Sequence, residues 1–117
     1  MSMDVQRLRL PGPGGDIAVS VQGPATGPAV LMTHSILSSG MMWEAQAALL
    51  AATGWRVIRA DTRGHGDSAA PAAPYAMRDL VADSIAVLDA LKIDRAHYVG
   101  LSLGGMSGIG LGIHRPD

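Results

Sequence analysis

The stretch Val99-Gly100-Leu101-Ser102-Leu103-Gly104-Gly105 decides the fold, because it carries the pattern Gly-x-Ser-x-Gly between an apolar run and a helix-like segment. This context predicts a nucleophile elbow, a sharp strand-to-helix turn that exposes a serine hydroxyl at its apex in a strained backbone conformation. Gly100 and Gly104 flank the apex, where a Cβ would collide with the neighbouring strand or helix. The positive N-terminal end of the helix favours negative charge at Ser102. The alternative is a turn rich in glycine and serine without a chemical role, since the bare pattern also recurs by chance.

Length and composition indicate one small globular domain, residues 1–117. The chain is 48% apolar and 16% charged, and its net charge of −1 gives no reason to expect nucleic acid or an anionic membrane as a partner. It has no cysteine, so disulfides and thiolate metal sites are excluded, and we expect no metal and no cofactor. The first residues lack the pattern of a signal peptide, and no apolar run reaches the roughly 18 residues of a membrane helix. We therefore expect a cytoplasmic protein.

Apolar runs and turn signals predict an alternation of strands and helices. Strands are expected at residues 6–10, 16–22, 29–32, 56–60 and 96–99, and helices at 42–52, from Arg78 onward, and at 104–114. In the second helix, Asp79, Asp83 and Asp89 lie on the predicted polar face. The alternation is typical of a doubly wound, mostly parallel α/β sheet that begins with an antiparallel hairpin. The loops 33–40 and 61–68 are then expected to meet the elbow at the carboxyl ends of the strands.

Ser102 is the candidate catalytic residue. A serine hydroxyl is a weak nucleophile, which needs a base, an orienting acid and an oxyanion hole. The backbone N–H of Leu103, directly after the serine, is one predicted oxyanion donor. The turn His34-Ser35-Ile36 is expected to supply the other, through the N–H of Ile36. The alternative interpretation of that turn is an ordinary loop.

These motifs resemble those of the amino-terminal half of α/β-hydrolase-fold enzymes. The matching stretches are Leu31-Met32-Thr33-His34-Ser35, Asp61-Thr62-Arg63-Gly64-His65-Gly66-Asp67-Ser68, and the elbow with Gly105-Met106 behind it. Within that superfamily the chain is most similar to the 3-oxoadipate enol-lactonase group, where a His-Ser pair replaces the commoner His-Gly. The resemblance implies a small-molecule ester or lactone as substrate. It also implies that His34, Asp61, Arg63 and His65 have structural roles in the loops.

The residue type at the apex narrows the expected chemistry. Enzymes of this fold that act on alkyl halides or epoxides carry an aspartate there, because its ester intermediate can be hydrolysed at the carbonyl. A serine that attacked such carbons would form an ether, which water could not cleave. Ser102 therefore favours acyl transfer on esters, lactones or thioesters.

The catalytic acid and histidine of the family follow later strands, which the resemblance places beyond Asp117. His97 is expected roughly 16 Å from Ser102 at about 3.3 Å per strand residue, and His114 roughly 15 Å away at 1.5 Å per helical residue. With His34 and His65 assigned to loop-tying hydrogen bonds, no complete triad is expected within these 117 residues. The fold is thus expected to be truncated after the elbow helix, with possible self-association through an exposed sheet edge. An inactive fragment or binding module of the same fold is the alternative.

The segment Gly64-His65-Gly66-Asp67-Ser68-Ala69 mimics the Gly-x-Gly-x-x-Ala loop that binds dinucleotides. That loop must open a helix, whose N-terminus holds the pyrophosphate. Here Pro71 and Pro74 follow, so no helix is expected before about Tyr75. The sequence therefore disfavours a dinucleotide site.

Overall fold

A five-stranded mixed sheet forms the centre of the computed structural model, which describes residues 4–117. Its strands are β1 (Gln6–Leu10), β2 (Ile17–Gln22), β3 (Ala29–Thr33), β4 (Arg56–Ala60) and β5 (His97–Gly100). The spatial order is β1-β2-β4-β3-β5. β2 pairs antiparallel with both β1 and β4, whereas β3 pairs parallel with both β4 and β5. The predicted antiparallel hairpin, followed by parallel strands, is confirmed.

Three α-helices cover the two faces of the described sheet. They are α1 (Glu44–Ala52), α2 (Met77–Ala90) and α3 (Leu103–His114). The predicted helix 42–52 is wrong at its start, because Gly40–Trp43 forms a separate 3-10 turn ahead of α1. The Ser39 side chain accepts a hydrogen bond from the Met41 N–H, and the Gly40 N–H donates to Asp61, which together tighten this segment. No helix among residues 4–117 is both long and apolar enough to cross a membrane.

The core consists of two apolar layers, one on each face of the sheet. On one face, α1 packs over the central strands through Val30, Met32, Ala47, Ala51 and Val57. The larger layer lies on the opposite face, and its buried members include Ile17, Val19, Leu31, Ile58 and Val87. Every residue of β3 is buried, because helices cover this strand on both sides. The end of β3 is consequently a rigid base for the loop that begins at His34.

The helix α3 lies unusually close to the sheet. A Cβ on Gly104 would approach Thr33 Oγ1 to 2.5 Å, and one on Gly108 would approach the Tyr98 ring to 2.6 Å. Gly104 and Gly108 are therefore required by the close approach of α3 to β3 and β5. Gly112 has no neighbour within 4 Å of such a Cβ, so close approach does not explain it.

The strand β5 pairs with β3 on one side and stands at the end of the described sheet. The predicted strand 96–99 is shifted by one residue, because Gly100 still pairs with Thr33. Beside this edge, the outer side of α3 exposes Met106, Ile109 and Ile113. The described part of the chain thus presents an open strand edge next to an apolar helix face.

Candidate active site

Ser102 occupies the sharp turn between β5 and α3. Its backbone has φ 54° and ψ −109°, a conformation that costs a residue other than glycine of order 1–3 kcal/mol. A Cβ added to Gly100 would overlap the carbonyl group of Gly104, and a Cβ on Gly104 would overlap Thr33. The local geometry is therefore a strand, a strained serine and a helix, held tight by a glycine on each side. The catalytic role of Ser102 stays a prediction.

The Ser102 side chain is exposed and makes no capping hydrogen bond to α3. Leu103 is the first residue of that helix, so its backbone N–H has no acceptor within the helix. The following turns are closed, because Gly104 N–H donates to the Leu101 carbonyl at 3.0 Å and Met106 N–H to the Ser102 carbonyl at 2.9 Å. An exposed hydroxyl thus stands at the positive end of a 12-residue helix.

The second predicted oxyanion donor, Ile36, lies on the loop that follows β3. Ile36 is exposed, and the next residue, Leu37, is 92% exposed with a positive φ of 64°. The Leu37 N–H donates to Nε2 of His65 at 3.0 Å. This bond to the neighbouring loop holds the strained Leu37 in place. The Ser38 N–H closes the turn on the Ser35 carbonyl at 3.2 Å.

The hydrogen bonds of His34 and His65 fix the tautomer of each ring. Nε2 of His34 accepts from the Thr62 N–H at 2.9 Å, so its Nδ1 carries the proton and donates to the Ser35 carbonyl at 2.7 Å. The tautomer of His65 is the same. Its Nε2 accepts from the Leu37 N–H, so its Nδ1 carries the proton and lies 3.1 Å from the Arg63 carbonyl. Both nitrogens of each ring are engaged by backbone groups, which leaves neither ring a nitrogen to accept a proton from Ser102.

Asp61 joins the loop after β4 to the segment that leads into α1. Its Oδ1 accepts from the Gly40 N–H at 2.8 Å, and its Oδ2 accepts from the Asp67 N–H at 3.0 Å. The Ser68 hydroxyl donates to the Asp61 carbonyl at 2.6 Å. Each carboxylate oxygen thus accepts from a backbone N–H, and together these bonds tie the two segments to each other.

Arg63 forms a buried, bidentate ion pair with Asp83 of α2. Nε and Nη2 of Arg63 each donate to one carboxylate oxygen at 2.7 Å. The hydrogen bonds to Asp83 are the main cause of a raised Arg63 pKa. Asp83 was predicted on the polar face of its helix, and this prediction is wrong because the side chain is buried against Arg63. A carboxylate is rarely buried without a partner. The burial of Asp83 could therefore be predicted only from its pairing with Arg63, which is distant in sequence.

The loop 64–69 lacks the features of a dinucleotide site. The Gly64 N–H donates to the Ala69 carbonyl at 2.9 Å, so the segment closes on itself. The next helix, α2, begins only at Met77. Among the described residues, no cluster of three or more potential ligands could hold a metal ion.

Comparison with known proteins places the chain in a family. A family model described as the alpha/beta hydrolase fold matches residues 28–109. The chain therefore belongs to the alpha/beta hydrolase fold family, as its sheet and elbow indicate.

Individual relatives are hydrolases of different kinds. The chain is 36% identical over 102 residues to the 3-oxoadipate enol-lactonase 1 of Acinetobacter baylyi, covering 87% of this chain and 38% of that protein. It superposes on an enol-lactonase from Burkholderia xenovorans with a TM-score of 0.90 at 35% identity, covering 94% of this chain and 43% of the other. An epoxide hydrolase from an endophytic Streptomyces gives a TM-score of 0.92 at 38% identity, covering 99% of this chain and 35% of the other. The chain thus spans little more than a third of the length of the curated relative.

Proposed function

We propose that the chain is the nucleophile-bearing part of a serine hydrolase that cleaves ester or lactone bonds of small molecules. The observation that carries the proposal is the strained Ser102, exposed at the first turn of α3. Strain of this kind persists only where the surrounding structure enforces it, and it is concentrated at functional sites. Similarity to enol-lactonases adds support for the lactone class.

The proposed reaction is an acyl transfer through Ser102. Its Oγ attacks the acyl carbon and forms a C–O bond, while a base takes the hydroxyl proton and the carbonyl oxygen becomes an oxyanion. The N–H groups of Leu103 and Ile36 stabilise that oxyanion. The intermediate collapses, the bond to the alcohol oxygen breaks, and that oxygen receives the proton. Water then cleaves the acyl-enzyme and releases the acid.

The serine at the apex supports this reaction over epoxide opening, although epoxide hydrolases are among the similar structures. Attack of Ser102 on an epoxide carbon would give an ether, for which water has no carbonyl to attack. Acyl transfer gives an ester, which can be hydrolysed.

His34, Asp61, Arg63 and His65 are proposed as residues that position the loops. Backbone groups occupy both ring nitrogens of His34 and His65, and Asp83 holds the Arg63 side chain. We infer that the base is a histidine supplied from outside residues 4–117, together with its carboxylate partner. The same observation supports the alternative proposal, a non-catalytic module that retains the fold.

A single substitution separates the two proposals. In the protein that contains this chain, Ser102→Ala should lower turnover of an activated aryl ester and of a simple lactone by several orders of magnitude, because no other group replaces the nucleophile. Ser38→Ala is the matched control, since it keeps the backbone N–H that closes the turn and removes only a side chain with no assigned role, so turnover should be unchanged. If Ser102→Ala keeps more than about a tenth of the wild-type rate, Ser102 is not the nucleophile. If the wild-type protein does not turn over either substrate, the non-catalytic module is favoured.

A further inference from the structure

We propose that Tyr98 is a positioning residue, whose hydroxyl joins the end of β3 to the first turn of α3 and so fixes the two halves of the oxyanion hole relative to each other. The inference rests on the proposed function. Tyr98 lies on β5, outside the motifs that identify the elbow and the loops. Its role follows from the hydrogen bonds of its hydroxyl to Thr33 and Gly104 and from the packing of its ring against Gly108.

The directions of the hydrogen bonds at Tyr98 follow from what each partner can do. The phenol donates to the Gly104 carbonyl at 2.9 Å, because a carbonyl can only accept. The Thr33 Oγ1 lies 2.5 Å from the same phenol oxygen. Since the phenol proton is already used, the Thr33 hydroxyl is the donor. A short chain of bonds therefore runs from Thr33 through Tyr98 to Gly104.

The two ends of this series of hydrogen bonds, Thr33 and Gly104, adjoin the two proposed oxyanion donors. Thr33 is the last residue of β3 and directly precedes the turn that carries Ile36. Its carbonyl also accepts from Trp43 Nε1 at 2.9 Å and from Leu101 N–H at 3.4 Å, so it is firmly anchored. Gly104 directly follows Leu103 in the first turn of α3. The Tyr98 hydroxyl thus connects the supports of both donors.

The packing around Tyr98 leaves the ring little freedom. A Cβ on Gly108 would approach the ring to 2.6 Å, so the aromatic ring fills the narrow space between β5 and α3. Burial raises the pKa of Tyr98, and the hydroxyls of Thr33, Ser107 and Ser84 oppose that shift. The phenol is therefore neutral and keeps the proton that it donates to Gly104.

Tyr98→Phe removes the hydroxyl and keeps the ring, which makes it the direct test in the active protein. Loss of a whole oxyanion donor lowers kcat by about 100- to 1,000-fold, and loss of its positioning should lower kcat by about 10-fold. KM should change by less than about twofold, because the ground-state ester does not depend on the oxyanion contacts. The affinity for an alkylboronic acid, which forms a tetrahedral adduct on the serine, should fall by the same factor as kcat/KM.

Three further variants make the test specific. Tyr75→Phe is the matched control, because the hydroxyl of this other tyrosine donates to the Pro71 carbonyl of an exposed loop, and kcat should be unchanged. Thr33→Val should reproduce the effect of Tyr98→Phe, whereas Thr33→Ser, which retains the hydroxyl, should restore kcat. The double variant of Tyr98→Phe with Thr33→Val should be no slower than Tyr98→Phe alone, because both substitutions remove the same Thr33–Tyr98 hydrogen bond.

The outcomes distinguish this inference from the proposed function. If Ser102→Ala is inactive but Tyr98→Phe and Thr33→Val both keep kcat within twofold, the positioning role is wrong and the serine mechanism stands. A lower melting temperature in Tyr98→Phe, with unchanged kcat and boronate affinity, would show that the Tyr98 hydroxyl has only a structural role. If Ser102→Ala is fully active, the proposed function itself fails, and the inference fails with it.

Discussion

At the scale of single residues, the backbone of Ser102 is where stability and the proposed function oppose each other. Its φ of 54° is unfavourable for a residue with a Cβ, and the glycines around it make the turn tight. The pattern Gly-x-Ser-x-Gly predicts this arrangement because a Cβ at either glycine position would collide with a neighbouring residue. The hydroxyl link between Thr33 and Tyr98 could not be predicted, since it joins residues 65 positions apart through tertiary packing.

Ser102→Gly should make the folded chain more stable by about 1 kcal/mol. Relief of roughly 1–3 kcal/mol of backbone strain exceeds the roughly 0.5–1 kcal/mol that glycine costs through the entropy of the unfolded chain. Ser102→Ala is the control, because it retains the Cβ and so retains the strain. The midpoints of urea unfolding compare the two variants with the wild type, and a Ser102→Gly variant no more stable than Ser102→Ala would show that the turn is unstrained.

His34 should make the stability of the chain depend on pH. Burial lowers the pKa of His34 and the adjacent His65 adds to this effect, whereas the Ser35 carbonyl and Asp61 oppose it. The unfolded chain therefore binds more protons in mild acid than the folded chain does. The stabilisation is present above about pH 6.5, the usual histidine value, and is lost as the pH falls toward the lower folded pKa.

This pH dependence can be assigned by substitution. Urea unfolding between pH 7.5 and 5.5 should show a falling free energy of unfolding, and His34→Gln should flatten that slope. The exposed His114 provides the control, because His114→Gln should leave the slope unchanged. A slope that survives His34→Gln in full would assign the effect to other groups.

At the scale of elements, the Arg63–Asp83 pair fastens the loop after β4 to α2. Both side chains are about 10% exposed, so neither charge could stay there alone. Helical periodicity predicted α2 correctly but placed Asp83 on the polar face, because a pattern of single residues does not reveal a partner 20 positions away. The 3-10 turn before α1 was missed for a similar reason, since it depends on the contact between Gly40 and Asp61.

Asp83→Asn should lower the free energy of unfolding by about 3 kcal/mol, because it leaves the buried Arg63 guanidinium without a counter-charge. Asp89→Asn is the matched control on the same helix, where the carboxylate is exposed, and should change stability by less than about 0.5 kcal/mol. Chemical denaturation of both variants checks the difference. Equal effects would show that the ion pair does not fasten the loop.

At the scale of the whole molecule, the sequence predicted the α/β class and the hairpin, because hydrophobic periodicity reports burial on one or both faces. The order β1-β2-β4-β3-β5 was not predicted, since strand order depends on how the crossovers pack. That order puts β5 at the edge of the described sheet, next to the apolar face of α3. An open edge with unpaired N–H and C=O groups is a template for pairing with another chain.

The purified 117-residue chain should therefore self-associate through β5 and α3. In sedimentation velocity at micromolar concentration, we expect species larger than a monomer, and Ile109→Glu should shift them toward the monomer. Leu49→Glu on α1 is the control, because Leu49 is 67% exposed against 68% for Ile109 but lies away from the edge. A wild-type chain that sediments as a monomer would contradict the prediction.

Mass spectrometry of the active protein, quenched in acid during turnover, shows whether Ser102 forms an acyl-enzyme. An activated aryl ester with a bulky acyl group is suitable, because slow deacylation lets the intermediate accumulate. We expect a mass increase equal to one acyl group, located on the peptide that contains Ser102 and absent from Ser102→Ala. An acyl group on another residue, or turnover by Ser102→Ala at the wild-type rate, would contradict this expectation.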